Sequence, residues 1–433
     1  MGYLPYIIVL GVVIVIGALV LESTVAKRKK LKIYRLSDSV VNLSCGMMER
    51  VFDFFLSVLI LFGFHFIWAN YAPYQIPTNI GTWLIALVVF DCIAYWFHRL
   101  SHEINFLWAA HIVHHQSEEL NLTTVFRASF FAVIFRAFFF VWMALAGFDA
   151  LTIATCSLTL GLFQLFTHSR VIGKLGVFEK FLTTPSHHRV HHARNEKYMD
   201  HNYSHIFIVW DRIFGTFIAE DEEPDYGITT GFESANAYNA AFAYWRNLFT
   251  RASRTKKISD KIKVFTKGPA WTPDDVPHLP NEYKTDESGE RIHHKMPVGF
   301  ELGAYVLLNV AITFGAFVAL MMSSYKVKLE ELTALSSMGQ AQERLVNLFF
   351  TPQVLALVGV ILISIFAHAR MLEQTKSSVY IDAFRLIAVG TLIFTAFNST
   401  PYSIWLTPLT FSLCGLMFLW LIKLGIQRTF KIS

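Results

Sequence analysis

Long apolar runs separated by short polar connections occupy both ends of this chain, with one extended polar stretch between them. A helix rises about 1.5 Å per residue, so about 20 apolar residues are enough to cross the hydrocarbon of a bilayer. By that measure residues 3–21, 51–69, 80–97, 125–148 and 151–167 are spans before the polar stretch. Residues 300–322, 345–369, 379–397 and 404–421 are spans after it. The pattern predicts an all-α, multi-pass membrane protein of about nine transmembrane helices. It divides into N-terminal anchor helices (1–79), a central region with a polar cap (80–298), and a C-terminal four-helix membrane region (299–433).

Charge sets the expected orientation. Lys27, Arg28, Lys29 and Lys30 follow the first run, with Lys32 and Arg35 close behind. The positive charge comes after the run and not before it, so the run reads as an uncleaved anchor whose C-terminal end faces the cytoplasm. Counting spans from there, the third and fifth both return to the cytoplasmic face. Composition agrees: 54% of residues are hydrophobic and 16% charged, against about 25% charged in a soluble domain. A net charge of +5 over 433 residues is carried by loops, and no nucleic-acid surface is expected. The four cysteines are far apart and form no CxxC pair, which argues against a disulfide framework or a thiolate metal site.

The chemistry is expected where the spans end. Three histidine boxes follow one another: His98 and His102; His111, His114 and His115; His188, His191 and His192. Residues three or four apart share a helix face, so each box can turn its rings toward one metal. His168, at the exit of the fifth span, is a plausible ninth ligand. A structural zinc needs four ligands, so nine imidazoles suit two metals. Imidazole fits iron, zinc, copper and nickel, and attack on an unactivated C–H bond requires an oxidant that redox-inert zinc cannot generate. A di-iron centre at the membrane surface is the expectation.

Single histidines near a membrane are often interfacial polar groups, and the argument rests on eight in box spacing. His187 reads as a neighbour of the third box, and His201 and His205 as surface residues. Asp91 lies inside the third span, where an ionisable group is costly. Its expected job is to accept an N–H from a ligating histidine, with packing against Arg136 as the plain alternative. Glu103, directly after the first box, is either a functional carboxylate or a solvated helix end.

The series HxxxH, HxxHH, HxxHH resembles the fatty acid hydroxylase/sterol desaturase superfamily of membrane di-iron enzymes. The stretches Tyr95–Glu103, Thr184–His192, Trp210–Phe217 and Lys267-Gly-Pro-Ala-Trp271 are similar, within it, to the alkylglycerol monooxygenases. The resemblance implies hydroxylation of the ether-linked carbon of a glyceryl ether by O2, with tetrahydrobiopterin as electron donor. The hemiacetal product falls apart to a fatty aldehyde and a glycerol derivative. It implies His98, His102, His111, His114, His115, His188, His191 and His192 as ligands, His168 less closely, and a functional role for Glu103. Expected partners are the bilayer, a lipid substrate, O2 and a separate enzyme that regenerates the reductant. A eukaryotic chain would sit in the endoplasmic reticulum membrane, a bacterial one in the inner membrane. Two alternatives stay open: a sterol or fatty-acyl hydroxylase or desaturase fed by a separate redox protein, and a membrane metal transporter.

Overall fold

The computed structural model describes residues 4–277, 284–285, 291–292, 296, 298–323 and 349–432. Helices α1 (Leu4–Arg28), α2 (Leu36–Tyr71) and α3 (Ile80–Glu103) are followed by the short α4 (Asn105–His115). A hairpin of α5 (Phe131–Leu145) and α6 (Ala150–Thr167) comes next. The polar region holds α7 (Pro185–His192), α8 (Val209–Ile213), α9 (Ala237–Arg254) and α10 (Ile258–Thr266). Helices α11 (Phe300–Ser323), α12 (Pro352–Leu372), α13 (Ser378–Phe397) and α14 (Ser403–Ile432) complete the chain. Apart from an antiparallel pairing of Lys284–Thr285 with Arg291–Ile292, the described residues are helix and loop.

Eight of these helices are long and apolar enough to cross a bilayer: α1, α2, α3, α6, α11, α12, α13 and α14. The protein is an integral membrane protein. The expected span over 125–148 differs: α5 has 15 residues, about 22 Å at helical rise and short of the roughly 30 Å hydrocarbon core. The cause lies at its start. Arg127 is buried, donating to the Val113 carbonyl and the Asn42 side chain, while its own carbonyl accepts from His114. Residues 124–130 are thereby drawn into the polar region and cannot extend the helix. Helix α2 deviates the other way and starts well before residue 51. Its first half buries Asn42 and Glu49, which find partners in Arg127 and Arg136 respectively. The start of the expected 345–369 span lies partly outside the described residues; α12 begins at Pro352, capped by Thr351.

Two features aim the helices. Asn79 and Thr82 form a capping box that starts α3. Gly147 turns α5 into α6 at φ 103°, and a Cβ there would strike the Tyr74 carbonyl. The Gly147 carbonyl also accepts from Trp68 Nε1 and Ile76 N, tying the hairpin to α2 and its exit loop. An apolar cluster of Phe90, Phe140, Met143 and Ile153 fills the space between α3, α5 and α6. A larger one joins α2 and α9 to the C-terminal helices. The C-terminal ends of α3 and α6 therefore emerge together, beside α4 and α7.

Candidate metal centre

All nine expected histidines converge. They form two groups in which the ligand atoms lie within 4.8 Å of one another: His98, His102, His111, His115 and His191, and His114, His168, His188 and His192. The boxes do not serve one metal each. Only the first box stays whole; the second and third are split between the groups. Successive residues point about 100° apart around a helix, so α4 and α7, each lying between the groups, send neighbouring rings opposite ways. His115 goes one way and His114 the other; His191 parts from His188 and His192 likewise.

The outer nitrogens define the inner ones. Nδ1 of His98 donates to the Tyr203 carbonyl at 2.7 Å, and Nδ1 of His168 to that of Gln164 at 2.7 Å. His191 Nδ1 reaches the His201 carbonyl at 3.0 Å, and His114 Nδ1 that of Arg127 at 3.2 Å. A carbonyl can only accept, so these Nδ1 atoms carry the protons and each Nε2 presents a lone pair inward. His102 Nδ1 lies 3.5 Å from Asp200 Oδ1.

Inward-facing nitrogens then crowd together, and His114 and His168 have no proton to share between them. His168 Nε2 is 3.1 Å from His114 Nε2 and 2.9 Å from His188 Nε2, and His98 Nε2 is 2.9 Å from His111 Nε2. His102 Nε2 and His191 Nε2 are buried with no hydrogen-bond partner. Lone pairs held this close repel unless a cation takes them up. Two imidazoles on one first-row metal, at about 2.0–2.1 Å each, lie about 2.9–3.4 Å apart. The donor set thus fits a metal in each group, and its all-imidazole character suits iron. Burial holds the rings of α4 and α7 neutral, as ligation requires. It pushes His111, His115, His188, His191 and His192 well below the usual histidine range, with neighbouring imidazoles adding to the effect. His114 is pushed down to about 4.

The two expected carboxylates stand elsewhere. Asp91, fully buried, accepts from Ile206 N, Phe207 N and Trp210 Nε1 at 2.9–3.0 Å, not from a ligating imidazole. Arg136, its alternative partner, pairs with Glu49. Asp91 acts on the centre through the chain, because the loop it fastens carries the Tyr203 carbonyl that orients His98. Asp211 fastens the same loop from the other side, accepting from Tyr203 N, Ser204 N and Thr216 Oγ1. Glu103 is half-exposed and pairs with Arg99 at 2.8 Å, outside both groups. Its backbone carbonyl borders Gly268, and Asn105 donates to the carbonyls of Lys267 and Gly268. The Lys267–Trp271 stretch therefore braces the corner between the first two boxes.

His187 is a neighbour, as expected, with its ring against Phe217. His205 is not a surface residue of no consequence. Its ring centroid is 4.9 Å from that of His98, and burial pushes it down to about 3. Asp200 and Asn202, in the same loop, adopt left-handed backbone at φ 61° and 56°, a conformation that Asp and Asn tolerate better than most residues. Neither Gln164, Arg127 nor Tyr203 could be found by side-chain type, since each acts through its backbone carbonyl.

Residues 83–216 match the fatty acid hydroxylase family. Alkylglycerol monooxygenase of Danio rerio is 30% identical over 364 residues, which cover 83% of this chain and 75% of that one. The chain belongs to the alkylglycerol monooxygenase family. The Homo sapiens alkylglycerol monooxygenase is 33% identical over 70% of this chain and 66% of its own length, and that of Xenopus tropicalis 29% over 96% and 89%. No solved structure matches. As a member of the alkylglycerol monooxygenase family, the protein is an oxidoreductase, a membrane lipid monooxygenase, and its matched residues contain every histidine of both groups.

Proposed function

We propose that the two histidine groups hold a pair of iron ions and that the protein cleaves the O-alkyl bond of alkylglycerol lipids with O2 and tetrahydrobiopterin. The observation that carries the reading is the pair of all-imidazole groups at the ends of membrane helices, in a chain of this family. Iron, when bound, supplies the oxidising power for an unactivated C–H bond. In the overall reaction the carbon beside the ether oxygen gains one oxygen atom of O2. The other leaves as water, and the pterin provides two electrons. The hemiacetal then separates into a fatty aldehyde and a free hydroxyl on glycerol.

The chain's own residues do the positioning. Four backbone carbonyls hold Nδ1 protons outward so that Nε2 faces in. Burial excludes water and keeps the imidazoles unprotonated. Because α3 and α6 end at the groups, an amphiphile can keep its polar head at the surface while its chain lies among the spans. We place the centre on the cytoplasmic face. Lys29, in the basic segment after α1, donates to the Val171 carbonyl three residues past His168, and basic segments favour the cytoplasm. The membrane is then the endoplasmic reticulum in a eukaryote or the inner membrane in a bacterium, the compartment expected from the family resemblance. Residues 1–79 act as anchor, 80–298 as the catalytic region and 299–433 as its membrane support.

Purified protein in lipid nanodiscs, given a 1-O-alkylglycerol with and without tetrahydrobiopterin, tests the reading. Pterin-dependent release of fatty aldehyde is expected, with His188→Ala inactive and depleted of iron. Oxidation of a sterol or fatty acid alone, indifferent to pterin, would overturn it in favour of a hydroxylase or desaturase fed by a redox protein. Transport of metal without O2 consumption would overturn it in favour of a carrier.

A further inference from the structure

His205 belongs to neither histidine group, yet the protein secures its position from several directions. Asp211 takes the N–H groups of Tyr203 and Ser204 on one side of it, and Asp91 those of Ile206 and Phe207 on the other. Both carboxylates are fully buried. Gln164 Nε2 donates to the His205 carbonyl at 3.3 Å. The side chain stands within electrostatic range of His98 and His191 in one group and of His168 and His188 in the other. Its Nδ1 is sealed from solvent and has no hydrogen-bond partner, a state that is costly unless something else meets it.

Depth decides what that something is. Asp91 precedes His98 by seven residues of α3, about 10 Å along the helix axis, and Gln164 lies one turn before His168 in α6. The main chain of residues 205–207 is held at these levels, deeper in α3 and α6 than the histidines that end them, and the His205 ring packs against that of His98. The deeper side is the one from which an alkyl chain arrives. An ether oxygen has lone pairs and no hydrogen, and only a donor can recognise it; a neutral imidazole offers one N–H.

We propose that His205 is a substrate-contacting residue that binds no metal and donates its N–H to the ether oxygen of the alkylglycerol, turning the adjacent carbon toward the two groups. The role rests on the ether-cleaving reading above. It makes His205 the residue that chooses which carbon is oxidised.

The test compares His205→Leu, which removes the donor, with His205→Gln, which keeps one. Full-length protein in nanodiscs is assayed for metal content, for kcat and KM with a 1-O-alkylglycerol, and for products. Both variants are expected to keep the wild-type metal content. His205→Leu should lose roughly 10- to 100-fold in kcat/KM, the effect of one buried hydrogen bond to substrate, and should divert oxidation to other carbons of the chain. His205→Gln should recover part of the rate and most of the aldehyde. Loss of metal in either variant would overturn the proposal by making His205 a ligand. So would wild-type turnover in His205→Leu with aldehyde as sole product. A wild-type protein inert toward alkylglycerol marks a different failure, that of the ether reading itself, and removes this role with it.

Discussion

The residues that set the centre's geometry are mostly not its histidines. Four of the nine rings are oriented by backbone carbonyls, and the carbonyl facing His98 is fixed by Asp91 and Asp211 two steps away. Asp91 satisfies three buried N–H donors at once. Asp91→Ala would leave all three without a partner, at about 1–3 kcal/mol each. It is expected to lower the melting temperature in detergent and to weaken metal binding about 10- to 100-fold through the misaligned His98. Chelator-competition titration beside a thermal melt checks it; unchanged metal affinity would mean that Tyr203 holds His98 without help. In the sequence, Asp91 was visible as a misplaced charge in an apolar run, and its partners were not. Two of them are main-chain N–H groups and the third is the Trp210 indole, all 115 or more residues away, and nothing local to Asp91 marks them.

At the level of elements, box spacing names neighbours on a helix, but the expectation that all the rings of a box face a single metal fails for the second and third boxes. Spacing states which rings are neighbours on a helix; where the helix lies relative to two centres depends on its packing. Helix α5 shows the same limit. Its apolar composition reads as a full span, yet Arg127 ties the preceding residues to α2 and α4 and shortens it. The hairpin it forms with α6 depends on Gly147, whose positive φ and contact with Tyr74 leave no room for a side chain. Gly147→Ala should destabilise the protein by about 1–3 kcal/mol and reduce the share of His168 able to reach its group. The expected readout is a lower melting temperature together with loss of about half the metal, since only the group containing His168 is disturbed. Uniform loss of both metals would show that the groups assemble as one unit.

Across the whole molecule, the buried imidazoles act together. Burial pushes the neutral rings of α4 and α7 well below the usual histidine range. A group whose folded pKa is depressed takes up protons more readily when unfolded, so lowering the pH favours the unfolded state. Their neutral form supports the fold fully above about pH 6.5, and that support is lost as pH falls below it. Metal ligation adds in the same direction, because protons compete for the same nitrogens. Stability and metal retention, followed by thermal melts and chelator release from about pH 8 to about pH 5, should therefore be flat at first and then fall steeply below about pH 6.5. A constant melting temperature across that range would contradict the buried, neutral arrangement.

Some of this organisation is local chemistry and needed no tertiary structure. Apolar run length alone specified a multi-pass helical membrane protein, because spanning a bilayer demands a helix of fixed minimum length. The three- and four-residue spacings named eight of the nine imidazoles, because a helix brings those positions to one face, and the exit of the fifth span named His168. Tertiary structure decided the rest. It divided nine rings into five and four, fastened Asp91 to a distant loop instead of an imidazole, and brought His205 from an apparently ordinary loop to ring contact with His98. These outcomes depend on which helices pack together and on where main-chain donors and acceptors must be satisfied. Contacts of that kind join residues a hundred positions apart, and neither period nor composition along the chain records them.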